Sequence, residues 1–108
     1  MKIFLDDMRE APEGWVRAYW PNEVICLLKK GNVEEISLDH DLGDDDKGNG
    51  YDVLLWIERA VFLNGFIAPV INIHSANISA RHKMEMAKEN IARYSINASS
   101  LSHKCKEK

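Results

Sequence analysis

The 108-residue sequence predicts a three-layer α/β sandwich with a central parallel sheet, and three observations lead there. Short β-prone runs at 2–5, 33–39 and 70–73 alternate with longer segments whose apolar residues recur at helical spacing. Strands and helices alternating in this order imply parallel strands covered by helices on both faces. The third observation is size: at 45% apolar content and 12.3 kDa, the chain holds one hydrophobic core and no more.

Taken in order, Lys2 to Leu5 is β-prone and stops at Asp6 and Asp7, residues disfavoured inside strands. The stretch 8–14 contains Pro12 and Gly14 and reads as loop, and the aromatic run 15–20 is a short strand. From Pro21 the pattern is helical: Val24, Leu27 and Leu28 share a face, Lys29 and Lys30 suit the C-terminal dipole, and Gly31 caps. Ile36 and Leu38 belong to the next strand, which ends in Asp39, His40 and Asp41. Gly43, Gly48 and Gly50 punctuate a loop before a deeply packed helix over 51–64, ended by Gly65. A strand at 70–73 closes at His74, Ser75, Ala76 and Asn77. Then Ala80, Met84, Ala87 and Ile91 mark a last helix, with Ser79 as its N-cap. One domain therefore covers 1–93, and 94–108 is expected to be a weak strand followed by a basic tail.

Composition narrows the class. No apolar run approaches the roughly 18 residues that span a bilayer, and Asp6 and Asp7 interrupt any signal-peptide core, so a cytoplasmic protein with no membrane partner is expected. Cys26 and Cys105 form neither a disulfide framework nor a metal motif. The net charge of −3 conceals a division: residues 1–80 balance at −7 and residues 81–108 at +4.

In open α/β sheets, ligands bind beyond the carboxyl ends of the strands. Three such ends here carry dense polar chemistry: Phe4-Leu5-Asp6-Asp7, Ser37-Leu38-Asp39-His40-Asp41 and Ile73-His74-Ser75-Ala76-Asn77. Converging carboxylates repel unless a cation or proton intervenes, and hard oxygen ligands select Mg²⁺ or a related ion. Asp6, Asp7, Asp39 and Asp41 are the candidate metal ligands.

These motifs are similar to those of response-regulator receiver domains. In that family an acid pair ends the first strand, a phosphoacceptor Asp the third, and Ser or Thr followed by Ala the fourth. Asp6 and Asp7, Asp39, and Ser75-Ala76 match those positions, and Gly50-Tyr51-Asp52-Val53-Leu54 matches the start of a helix. The combination of Phe-Leu-Asp-Asp, Ser-Leu-Asp-His-Asp-Leu-Gly and His-Ser-Ala-Asn more closely resembles the offshoot called the cyclic-phosphate processing receiver domain. The resemblance covers about residues 1–92 and implies a truncated receiver-like, flavodoxin-like topology.

Two departures from ordinary receivers matter. The first helix looks shortened or lost, and no lysine ends a convincing fifth strand, which weighs against phosphoaspartate signalling. Histidines stand instead at two strand ends. His40 and His74 can exchange protons near neutral pH, the chemistry that opening a 2′,3′-cyclic phosphate needs. With Asp39 they are the candidate catalytic residues. Arg81, His82 and Lys83 crowd a helix N-terminus, where an anion relieves the clash with the dipole. Ser75, Asn77 and Arg81 are accordingly the candidate phosphate-binding residues.

The expected function is metal-assisted hydrolysis of cyclic phosphates on nucleotides or RNA ends, with Mg²⁺ or Mn²⁺ as cofactor. A module that binds cyclic nucleotides without turnover and a signalling receiver phosphorylated on Asp39 are the alternatives. An HD-type phosphohydrolase is disfavoured because His40-Asp41 follows a strand. A base-stacking platform of Trp15, Tyr19 and Trp20 is disfavoured too, since only Arg9 and Arg17 are basic nearby.

Overall fold

A computed structural model of the chain describes residues 1–42 and 48–107, with side chains through Ser95. Gly43 and the acidic run 44–46 lie outside the described residues. Four parallel strands, β1 (Lys2–Leu5), β2 (Val16–Ala18), β3 (Glu35–Leu38) and β4 (Val70–Ile73), form one sheet in the order β2-β1-β3-β4. Three helices accompany them: α1 (Pro21–Lys30), α2 (Gly50–Asn64) and α3 (Ile78–Glu107). A truncated receiver-like α/β fold with a central parallel sheet is thus the fold of the protein.

Local chemistry sets the helix limits. Glu23 Oε1 accepts from the Tyr19 and Trp20 N–H groups at 2.9 and 3.0 Å, closing the start of α1. Asn49 caps α2 by accepting from Tyr51 and Asp52 N–H, while Asp52 Oδ2 accepts from Asn49 N–H at 2.9 Å. Gly65, left-handed at φ 66°, ends that helix. The last helix departs from expectation at both ends. Its N-cap is Asn77, whose Oδ1 accepts from Ala80 N–H at 3.1 Å, and Ser79 lies inside the first turn. Where a weak strand was expected after residue 94, α3 continues to Glu107, because no β-branched run follows Ile91 to interrupt helical propensity.

The layering also differs from the expected sandwich. The β2-α1-β3 and β3-α2-β4 crossovers advance in the same direction across the sheet, so right-handed connection sets both helices on one face. α1 packs on α2 and α2 on α3, and all three join one core with Ile3, Leu5, Ile36, Leu38, Ile71 and Ile73. Side chains alternate across a strand. The other face therefore presents Lys2, Phe4, Glu35, Ser37, Val70 and Asn72, and no described helix covers it. Polar residues suit such a face: Lys2 Nζ lies 3.7 Å from Glu35 Oε1, and Asn72 Nδ2 donates to Glu35 Oε2 at 2.6 Å. Trp15 adds an edge contact to Phe4, with ring centroids 6.4 Å apart. A helix between the first two strands would have supplied the missing layer, and residues 6–15 are loop instead.

Candidate active site at the carboxyl edge

The strand register builds the site. Leu5, Leu38 and Ile73 are aligned across β1, β3 and β4, so the next residues, Asp6, Asp39 and His74, emerge together from the carboxyl edge. The ladder extends through them: Asp39 N–H donates to the Leu5 carbonyl and His74 N–H to the Leu38 carbonyl, both at 3.0 Å. Their ligand atoms all lie within 4.8 Å of one another, close enough to share one ion.

Each of the three is fixed by short contacts. Asp6, only 1% exposed, accepts from Met8 and Arg9 N–H on Oδ1, at 2.8 and 2.9 Å. Its Oδ2 meets His74 Nε2 at 3.1 Å. His74 Nδ1 meets Ser37 Oγ at 2.7 Å, and the imidazole stacks on the Phe4 ring with centroids 4.4 Å apart and planes 2° from parallel. Phe4 and Ser37 belong to the helix-free face, so the imidazole lies on that side of the sheet. In the neutral ring, Nε2–H donates to Asp6 while Nδ1 accepts from the Ser37 hydroxyl; protonation converts Ser37 to an acceptor. Asp39 Oδ1 accepts from His40 N–H at 2.8 Å.

The two carboxylates are driven apart in acidity. Burial raises the Asp6 pKa, but the Arg9 and Met8 N–H groups, the His74 hydrogen bond and its charge outweigh that, and the carboxyl titrates below its ordinary value. Burial and the neighbouring Asp6 carboxylate raise Asp39, only partly offset by the His40 N–H and by His74. A proton or a cation would relieve both effects on Asp39.

Gly50 lets α2 start against this edge. A Cβ there would stand 2.0 Å from the Asp39 carbonyl oxygen, and Gly50 N–H points to the His40 carbonyl at 3.4 Å.

Other expected residues occupy the surroundings. Asp7 is half-buried beside Asp6 and outside the three-residue group. Asp41, exposed, holds His40 Nδ1 at 2.8 Å. Ser75 is buried and its Oγ accepts from Asn77 N–H at 3.2 Å, whereas Arg81 is exposed on the first turn of α3. Asn77 Oδ1 is engaged as the helix cap, which leaves its amide nitrogen as a donor. Lys83 Nζ sits 4.0 Å above the Tyr51 ring. Sequence reading assigned no role to Ser37 and Phe4, although period-two alternation sets them on the same side of their strands as Asp39 and Asp6.

Parallel strands in this order, with carboxylates ending β1 and β3 and an imidazole ending β4, define a receiver-like α/β domain with a histidine-bearing carboxyl edge. Residues 1–90 match the family model described as the cyclic-phosphate processing receiver domain, and the chain belongs to that family. No curated protein and no solved structure matches the chain. Among the described residues no helix is long and apolar enough to cross a membrane.

Proposed function

We propose that the domain hydrolyses cyclic phosphates on nucleotides or RNA ends with the aid of a divalent cation, Mg²⁺ or Mn²⁺. The observation that carries this reading is the convergence of Asp6, Asp39 and His74 within 4.8 Å. Asp6 and Asp39 offer hard oxygens, and the raised Asp39 pKa marks a carboxylate pair that a cation stabilises. Asp7 and Asp41 are the supporting ligands in this reading. A bound ion supplies positive charge for the phosphoryl oxygens.

The remaining work belongs to side chains. Water adds to phosphorus and loses a proton to one histidine; one P–O bond to ribose breaks, and the departing oxygen takes a proton from the other. A phosphomonoester and a free hydroxyl result. His74, oriented by Ser37 and Asp6, and His40, oriented by Asp41, are the two proton carriers. Asp39 sits between them in function as the charge that holds the cation. Ser75, the Asn77 amide nitrogen and Arg81 donate to the phosphate from the β4-α3 connection.

The test is incubation with 2′,3′-cyclic nucleotides and cyclic-phosphate-ended RNA, in Mg²⁺, Mn²⁺ or EDTA, following binding and products together. His74→Ala is expected to lower turnover by about 10²- to 10⁴-fold in a folded protein. Unchanged turnover would remove His74 from the mechanism. Tight binding without products would make the domain a sequestering module. Neither binding nor products would sink the cyclic-phosphate reading, and acetyl phosphate labelling lost in Asp39→Asn would then establish a receiver.

A further inference from the structure

Two arginines that the proposed reaction leaves unused flank the same Asp6–His74 pair. Arg9 Nη1 donates to the His74 carbonyl at 3.4 Å, and Arg17 Nε donates to the Asp6 carbonyl at 3.3 Å. Arg9 comes from the loop after β1. Arg17 comes from β2, where its register partner is Phe4, the ring under His74. Arg17 therefore approaches from the helix-free side of the sheet, and Arg9 reaches the carboxyl edge from the loop.

Neither guanidinium forms an ion pair among the described residues. The carboxylate beside them is not their partner: Asp6 accepts instead from two backbone N–H groups and from His74. Each arginine spends one donor on a long bond to a carbonyl, and a guanidinium has five. Arg17 is held further by the Tyr19 ring, 4.6 Å from its Cζ, which fixes its plane while its terminal nitrogens have no described partner. Two uncompensated cations on the rim of an acidic cluster fit an anionic ligand. Asp6 and Asp39 together cancel a divalent ion, so a phosphodiester entering that site gains net attraction only from further positive charge. Planar guanidinium groups match its two free oxygens in a bidentate manner.

We infer that Arg9 and Arg17 form a clamp on the phosphodiester of the cyclic nucleotide at the carboxyl edge, together with the donors of the β4-α3 connection. The inference rests on the cyclic-phosphate reading and adds to it the residues that set affinity. Their role is to bind the substrate anion, and the proton transfers stay with the histidines.

The experiment measures 2′,3′-cyclic AMP binding and turnover for the full chain in Mn²⁺, with Arg9→Gln, Arg17→Gln, Arg9→Lys and a control on α2, Arg59→Gln. Each glutamine variant is expected to raise Kd and KM about tenfold or more, as for a lost hydrogen bond to a charged group, with kcat within about threefold. Arg9→Lys restores charge without the fork and recovers only part of the affinity, and Arg59→Gln changes nothing. Mn²⁺ affinity and melting temperature should match the unmodified protein, which separates a clamp from a structural tether. Normal substrate affinity in both glutamine variants, beside an active parent, overturns the clamp and leaves the hydrolase reading standing. A parent protein that neither binds nor cleaves the nucleotide overturns both.

Discussion

The two faces of the sheet are built from alternate residues of the same strands, yet they do different work. On the helix side, Ile3, Leu5, Ile36, Leu38, Ile71 and Ile73 are buried against α1, α2 and α3. On the other side, Phe4 and Ser37 are buried too, Phe4 against Trp15 and the imidazole of His74 and Ser37 against that imidazole, while Asn72 is half-buried. The first face has only the hydrophobic effect to satisfy. The second holds a histidine-carboxylate pair in place, and a helix lying on it would have closed off that approach to His74. Losing the layer between the first two strands thus leaves this face to be covered by Trp15 of the loop and by the histidine of the site.

Adjacent residues of β3 separate these two roles. Leu38 is fully buried on the helix side, so Leu38→Ala should destabilise the protein more than any polar substitution at the edge, by about 2–5 kcal/mol. Chemical denaturation measures it. Ser37, one residue earlier, offers a hydroxyl to His74 Nδ1. Ser37→Ala should cost only about 1 kcal/mol of stability while slowing turnover, because the imidazole loses one of the two contacts that orient its ring. An activity loss no greater in Ser37→Ala than in Leu38→Ala, compared at temperatures where both are folded, would break the division between the faces.

The same alternation explains how much was legible in the sequence. Helical spacing at Val24, Leu27 and Leu28 and at Met84, Ala87 and Ile91 identified α1 and the first half of α3 without tertiary information. Polar clusters at three strand ends identified Asp6, Asp39 and His74, since parallel register aligns the residues that follow Leu5, Leu38 and Ile73. The missing layer was harder to read. Phe4 among Ile3 and Leu5 looks like a strand buried on both faces, and only the stacking of His74 reveals that the aromatic serves the site. Arg9 and Arg17 were equally obscure, because their position depends on the path of the 6–15 loop and on β2 pairing with β1. The start of α3 was also misread: Ser79 is a good N-cap by residue type, but the backbone path after His74 sets Asn77 in that position.

The smallest expected effect tests whether the polar edge is arranged for a ligand at the expense of the fold. Asp39 has a pKa raised by burial and by Asp6, so the native state binds its proton more readily than the unfolded chain does. Its contribution to stability is fully present below the ordinary carboxylate pKa and is lost as pH rises through the raised native value. Asp6 runs the other way: its lowered pKa gives stability above the ordinary value, lost as pH falls through the native one. At pH 7 in EDTA, the charged Asp39 therefore opposes folding, and Asp39→Asn should melt at a higher temperature than the parent. Acidification should shrink that difference as Asp39 takes up its proton. Adding Mg²⁺ or Mn²⁺ should reverse the ranking, because an ion that binds only the native parent raises its melting temperature by mass action and the variant lacks a ligand. An Asp39→Asn protein that melts lower than the parent in EDTA at pH 7 would show that this carboxylate supports the fold, and the two faces would then differ less in purpose than in composition.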